Sequence, residues 1–206
     1  SCFDVDSGNS LSVPTTPGYS KVFGAALSRL AVEDERIVAI TAGMCSGTGL
    51  TDFSRQFPGR LFDVGISEEH AAVFAAGLAA EGMRPVFAVY STFMQRAVDC
   101  LIHDVCLQDL PVVICLDRAG IVGDDGPTHH GVFDIALLRP VPDLVFMQPK
   151  DEPELGHMLK TAFDCGKPAV IRYPRGTGPG HAVPESLEAL PLGKAEVLCA
   201  GTTVQF

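Results

Sequence analysis

Short apolar runs alternate with amphipathic stretches along most of this chain, and few folds satisfy that alternation. Val22, Phe23, Ala26, Leu27 and Leu30 fall on one helical face, and an apolar run over 36–41 and a turn-like segment over 43–49 follow. The pattern then repeats, with strands expected over 61–64, 85–90, 111–116, 144–147 and 169–173. Helices are expected between them over 68–80, 92–107, 133–138 and 152–163. Strands this short and apolar, separated by helices, predict a mostly parallel sheet covered on both faces: a three-layer α/β/α sandwich. The helix over 68–80 is apolar nearly all round and is expected to be buried. Ligands of such sheets bind beyond the carboxyl ends of the strands.

Residues 1–18, rich in Ser, Thr, Pro, Gly and Asp, read as a linker or arm, and 19–183 as the domain proper. Residues 184–206 read as a second linker and the first strand, over 195–200, of a truncated C-terminal domain. A length of 206 residues suits one sizeable domain with an appendage. Twenty-five acidic against 15 basic residues give a net charge of −10, which argues against nucleic acid or an anionic membrane as partner. No apolar run reaches membrane-spanning length, and the start does not read as a signal peptide. The 7 cysteines are scattered and form no Cys-x-x-Cys pair, which speaks against zinc or a disulfide framework and for a cytoplasmic protein.

Four segments at or after strand ends carry the candidate chemistry. In Asp63-Val-Gly-Ile-Ser-Glu-Glu-His70, Glu68 opens an apolar helix; it is either an ordinary first-turn carboxylate behind a Ser67 cap or a buried acid that needs a partner. In Tyr90-Ser-Thr-Phe-Met-Gln-Arg96, Phe93 either packs in the core or stacks on a planar ligand, and Arg96 either faces solvent or lines the same pocket. The loop Asp117–Gly131 holds four glycines, Arg118, Asp124, Asp125, His129 and His130. Its spacing fits no familiar metal site, and it favours acid–base work or grip on a polyhydroxyl substrate. Arg172-Tyr-Pro-Arg175-Gly176 offers two arginines, suited to a phosphate or carboxylate or simply to solvent.

Taken in order, these segments resemble one family. Tyr-Ser-Lys-Val-Phe-Gly from Tyr19, Gly-Thr-Gly-Leu from Gly47, the stretches from Phe62 and Val89, the Asp117–Gly131 loop and Arg-Tyr-Pro-Arg-Gly from Arg172 are similar to 1-deoxy-D-xylulose 5-phosphate synthases. These are transketolase-like enzymes that use thiamine diphosphate. Ile-x-Glu and Asp-Gly-Pro-Thr-His recur among transketolase relatives, whereas Gln-Arg-Ala, Asp-Arg-Ala-Gly and Arg-Tyr-Pro-Arg-Gly point to the synthases. The departures, Gly65 and Glu69 where Ala and Gln are more usual, touch no matched functional position.

The resemblance implies the pyrimidine-binding fold and a set of roles. Glu68 would hydrogen-bond the aminopyrimidine of the cofactor, with Ile66, Phe93 and Arg96 around that ring. Tyr90, Arg118, Asp125, His129 and Arg175 would face the substrates, the two arginines holding the phosphate of glyceraldehyde 3-phosphate and His129 moving a proton. The donor would be pyruvate, decarboxylated before transfer, and the product would feed isoprenoid, thiamine and pyridoxal synthesis. No metal ligand is expected in this chain: the family's Gly-Asp-Gly motif for magnesium is absent, so Mg2+ would be held by an N-terminal domain outside it. A homodimer is expected, with the N- and C-terminal domains of the same enzyme as partners and little turnover from this segment alone. The equivalent domain of a transketolase or 2-oxo acid dehydrogenase β-subunit, or a non-catalytic subunit of a split enzyme, are the competing readings.

Overall fold

In the computed structural model, residues 4–7 and 16–194 are described. The strand expected over 195–200 lies outside them, as does most of the arm over 1–18. Helix α1 (Tyr19–Glu33) leads into β1 (Ile37–Thr41), followed by α2 (Thr51–Gln56), β2 (Leu61–Asp63), α3 (Glu68–Ala80) and β3 (Arg84–Tyr90). An irregular helical segment runs on from β3: α4 (Ser91–Met94), a 3-10 turn (Gln95–Ala97), α5 (Val98–Cys100) and a π-helical turn (Leu101–Cys106). Strand β4 (Val113–Asp117) precedes the long loop with two 3-10 turns, then α6 (Asp134–Leu138), β5 (Val145–Met147), α7 (Glu152–Asp164) and β6 (Ala169–Arg172).

The six strands form one sheet in the order β2-β1-β3-β4-β6-β5, every pair parallel. All carboxyl ends therefore share one edge, which carries Thr41, Asp63, Tyr90, Asp117 and Arg172. Successive strand residues point to opposite faces, and both faces are buried. Val86, Ala88, Val113, Cys115, Ala169 and Ile171 join α1, α2 and α7 in one core. Phe87, Val89, Ile114, Leu116 and Val170 join α3, the segment after β3 and α6 in the other. The three-layer sandwich expected from the sequence is the observed architecture.

Two local expectations need correction, and one short helix was not expected. The single helix over 92–107 is four short pieces, because the backbone ladder tightens at Gln95–Ala97 and widens at Leu101–Cys106 while Met94, Ala97, Leu101 and Val105 stay inward. Helix α3 is not buried all round: Ala71, Ala72, Ala75, Ala76 and Ala79 pack inward, and Glu69, His70, Val73 and Gly77 are exposed. Small residues let it lie close to the sheet on one side only. Helix α2 went unseen because six residues give too few apolar positions to show a period. Among the described residues, no helix is long and apolar enough to cross a membrane.

Candidate active site

The site is built on the strand ends. Glu68 is the first residue of α3, only 2% exposed. Its approach is fixed by Asp63 at the end of β2, whose Oδ1 accepts from the Gly43 N–H at 2.7 Å and the Gly65 N–H at 3.0 Å. Ser67 occupies the cap position but makes no side-chain cap bond, so the simple capping reading does not hold. The partner that a buried carboxylate needs is Arg96, whose Nη1 donates to Glu68 Oε1 at 3.1 Å.

From Arg96 a continuous run of contacts crosses the sheet edge. Its guanidinium lies 5.1 Å from the centroid of Phe93. Phe93 stacks on Tyr90 at 5.8 Å and meets the His129 ring edge-on at 5.4 Å. Tyr90 lies under the Arg118 guanidinium, 3.7 Å from its ring centroid. Asp125 Oδ2 then lies between two arginines, 3.0 Å from Arg118 Nε and 2.9 Å from Arg175 Nε. These ion pairs are off hydrogen-bonding alignment at Oδ2. Both guanidiniums thus keep donors for another anion.

The irregular segment and the loop make these meetings possible. The chain turns from Tyr90 at the end of β3 straight into α4, which sets Phe93 one turn away on the same edge. The Tyr90 hydroxyl sits so close to Gly47 that an added Cβ there would be 1.8 Å away; a side chain at 47 would displace the ring. The loop after β4 is closed at its neck, Gly120 N–H to Gly131 O at 2.7 Å and Gly131 N–H to Gly120 O at 2.8 Å. Inside it, His130 Nδ1 accepts from the Val122 N–H at 3.2 Å, a loop staple, while His129 Nδ1 pairs with the Thr128 hydroxyl at 2.9 Å. Arg175 is carried by the segment leaving β6, which is tied back by the Tyr19 N–H to Gly176 O at 2.9 Å.

The structure thus joins every expected site residue except Ile66, which is 83% exposed above the Gly43 turn and outside the run of contacts. Among the described residues, no cluster of three His, Cys, Asp or Glu side chains is placed to hold a metal ion. The chemistry of the donor set suits a planar, nitrogen-bearing ring: a buried carboxylate, beside a half-buried aromatic ring, at the ligand edge of a parallel sheet.

Residues 15–180 match the family described as "Transketolase, pyrimidine binding domain". The chain belongs to that family. Over the span of this pyrimidine-binding domain it is 60% identical to the 1-deoxy-D-xylulose-5-phosphate synthase of Syntrophus aciditrophicus, covering 91% of the chain and 29% of that protein. It is 62% identical to the synthase 2 of Geobacter sulfurreducens, covering 89% and 29%. The chain therefore spans about a third or less of the curated relatives it matches. Among solved structures, one titled "Split gene transketolase, inactive beta4 tetramer" superposes with a TM-score of 0.73 at 28% identity, over 85% of this chain and 57% of that one. The transketolase of Campylobacter jejuni superposes at 0.71 with 20% identity over 77% of this chain and 26% of that one, a likeness of fold.

Two further carboxylates at the ligand edge were not among the expected site residues. Asp63, at the start of the 63–70 segment, shapes the turn ahead of Glu68, and Asp117 is buried at the end of β4, close to Asp125 and Arg175. The legible signal was position: each is the last residue of a strand at the ligand edge.

Proposed function

We propose that this chain is the pyrimidine half-site of a 1-deoxy-D-xylulose-5-phosphate synthase, which joins pyruvate and glyceraldehyde 3-phosphate with loss of CO2. The observation that carries the reading is the unbroken run from Glu68 through Arg96, Phe93, Tyr90 and His129 to Arg118, Asp125 and Arg175. One end of that run has the chemistry for a heteroaromatic ring and the other for a phosphate. The 60% identity to synthases, against 28% to the split-gene transketolase, favours the synthase over the transketolase reading.

Thiamine diphosphate, when bound, would supply the nucleophilic carbon that adds to the keto carbon of pyruvate and the electron sink that lets CO2 leave. Glu68 holds a ring nitrogen at its buried carboxylate, and Phe93 and Arg96 position that ring; Ile66 covers it from the exposed turn. Asp125 and His129 contact hydroxyl or carbonyl oxygens of the substrates, with His129 exchanging a proton through its imidazole. Tyr90 supports Arg118, and Arg118 and Arg175 grip the acceptor's phosphate. The Mg2+ that accompanies the diphosphate is assigned to residues outside this chain, and a cytoplasmic homodimer to the full-length enzyme. The test is turnover by the full-length protein with pyruvate against ketose donors. Pyruvate-dependent product with release of CO2 is expected; transfer from a ketose alone would overturn the reading in favour of a transketolase.

A further inference from the structure

Next to the cluster of Arg118, Asp125 and Arg175 lies a carboxyl group that the reaction as described does not use. Asp117 ends β4, in register with Tyr90 at the end of β3, and is fully buried. Neither of its oxygens is in hydrogen-bonding geometry with a donor, and the hydroxyl of Tyr173, also fully buried, is without a partner too. Groups acting on Asp117 come from several elements around it. Ser20 is in the first turn of α1, Arg118 and Asp125 are in the loop, Tyr173 and Arg175 follow β6, and Cys115 lies two residues back on β4. Ser20 and Arg118 also line an open cleft of about 450 Å³ between the start of α1 and the Gly47–Gly49 turn.

An unpaired anion in so dry a place is strongly disfavoured. Burial pushes the Asp117 carboxyl up to about 7; the Ser20 hydroxyl and the Arg118 N–H, close by but outside hydrogen-bonding alignment, favour the anion and only partly offset it. Tyr173 and Cys115 are pushed upward, chiefly by burial, and stay neutral. Next to Asp117, two guanidiniums face the single carboxylate of Asp125. With Asp117 protonated the cluster keeps an excess positive charge; with Asp117 ionised the charges cancel. Arg118 follows Asp117 directly in the chain and holds a left-handed backbone angle, φ 60°.

We propose that Asp117 is a proton-linked positioning residue: protonated, it leaves Arg118 and Arg175 charged and available to the acceptor's phosphate, and ionised, it neutralises them and weakens that grip. The inference rests on the reading of the arginine pair as the phosphate site. It implies that phosphate binding draws a proton onto Asp117.

The experiment uses the full-length enzyme and compares wild type with Asp117→Asn, measuring kcat/KM for glyceraldehyde 3-phosphate and for unphosphorylated glyceraldehyde from pH 6 to 8.5. The phosphate ester titrates equally in both enzymes, so the comparison isolates the side chain. At low pH the two should agree; toward pH 8.5 the variant should exceed wild type by about tenfold for the phosphorylated acceptor and not for glyceraldehyde. Parallel profiles for the two enzymes would overturn the inference while leaving the assigned function intact. No turnover of pyruvate with either acceptor by the wild type would defeat the function itself. Should Asp117→Asn fail to fold, Ser20→Ala removes a group that favours the anion and should move the wild-type inflection upward in pH; an unmoved inflection is equally fatal.

Discussion

Glu68 shows how one side chain gains meaning from its partner. A carboxylate at 2% exposure is costly alone, and Arg96 compensates it at Oε1; on the proposed function its other oxygen takes a ring nitrogen. Glu68→Gln keeps the shape and removes the charge, so the full-length enzyme should retain its fold by circular dichroism and lose turnover by roughly 10²- to 10⁴-fold. Near-normal turnover would remove Glu68 from the reaction. Arg175, by contrast, hangs from an exposed segment and pairs with Asp125. Arg175→Ala should raise KM for glyceraldehyde 3-phosphate by about tenfold or more and leave that for pyruvate nearly unchanged. A rise for pyruvate alone would reassign it.

Elements carry the next level of the argument, because the site depends on how closely three turns approach. Gly47 lies under the Tyr90 hydroxyl, and Tyr90 supports both Phe93 and Arg118. Gly47→Ala should therefore cost about 1–3 kcal/mol in stability and also weaken the acceptor site, since the ring must tilt. Adding Tyr90→Phe removes the clashing oxygen and should restore part of the stability; strict additivity of the two changes in a double-mutant cycle would mean they do not touch. None of this closeness was legible in the sequence, where Gly47 is one glycine of a turn. The start of α3 at Glu68 was legible, because a run of apolar residues begins there. The break-up of the helix after Tyr90 was not. A change from i+4 to i+3 or i+5 bonding alters no side-chain pattern, and it follows from Phe93 and Arg96 being drawn to the sheet edge while Met94 and Leu101 stay in the core. The candidate site was readable as a set of residues; its order across the edge came only with the strand order, which brings the ends of β3, β4 and β6 side by side.

On the scale of the whole molecule, the two ends of the sheet respond to pH in opposite directions. At the end away from the site, Asp34 takes hydrogen bonds from Arg36 and Arg84, which hold its carboxyl well below the usual range. Its contribution to stability is present above the unfolded value of 3.8 and is lost as the pH falls below it. At the ligand end, Asp117 is raised from 3.8 to about 7 by burial. Between those values the unfolded chain has released its proton and the native carboxyl keeps it. Stability from this group is thus fully present below the lower value and lost as the pH rises through the higher one. Asp34→Asn should lower the thermal midpoint at neutral pH, with the deficit shrinking in acid. Asp117→Asn should raise the midpoint at pH 8, with the advantage vanishing toward pH 4. A pH-independent effect of Asp117→Asn would mean that its carboxyl ionises at the ordinary value, and the charge balance at the arginine pair would then be fixed throughout the neutral range.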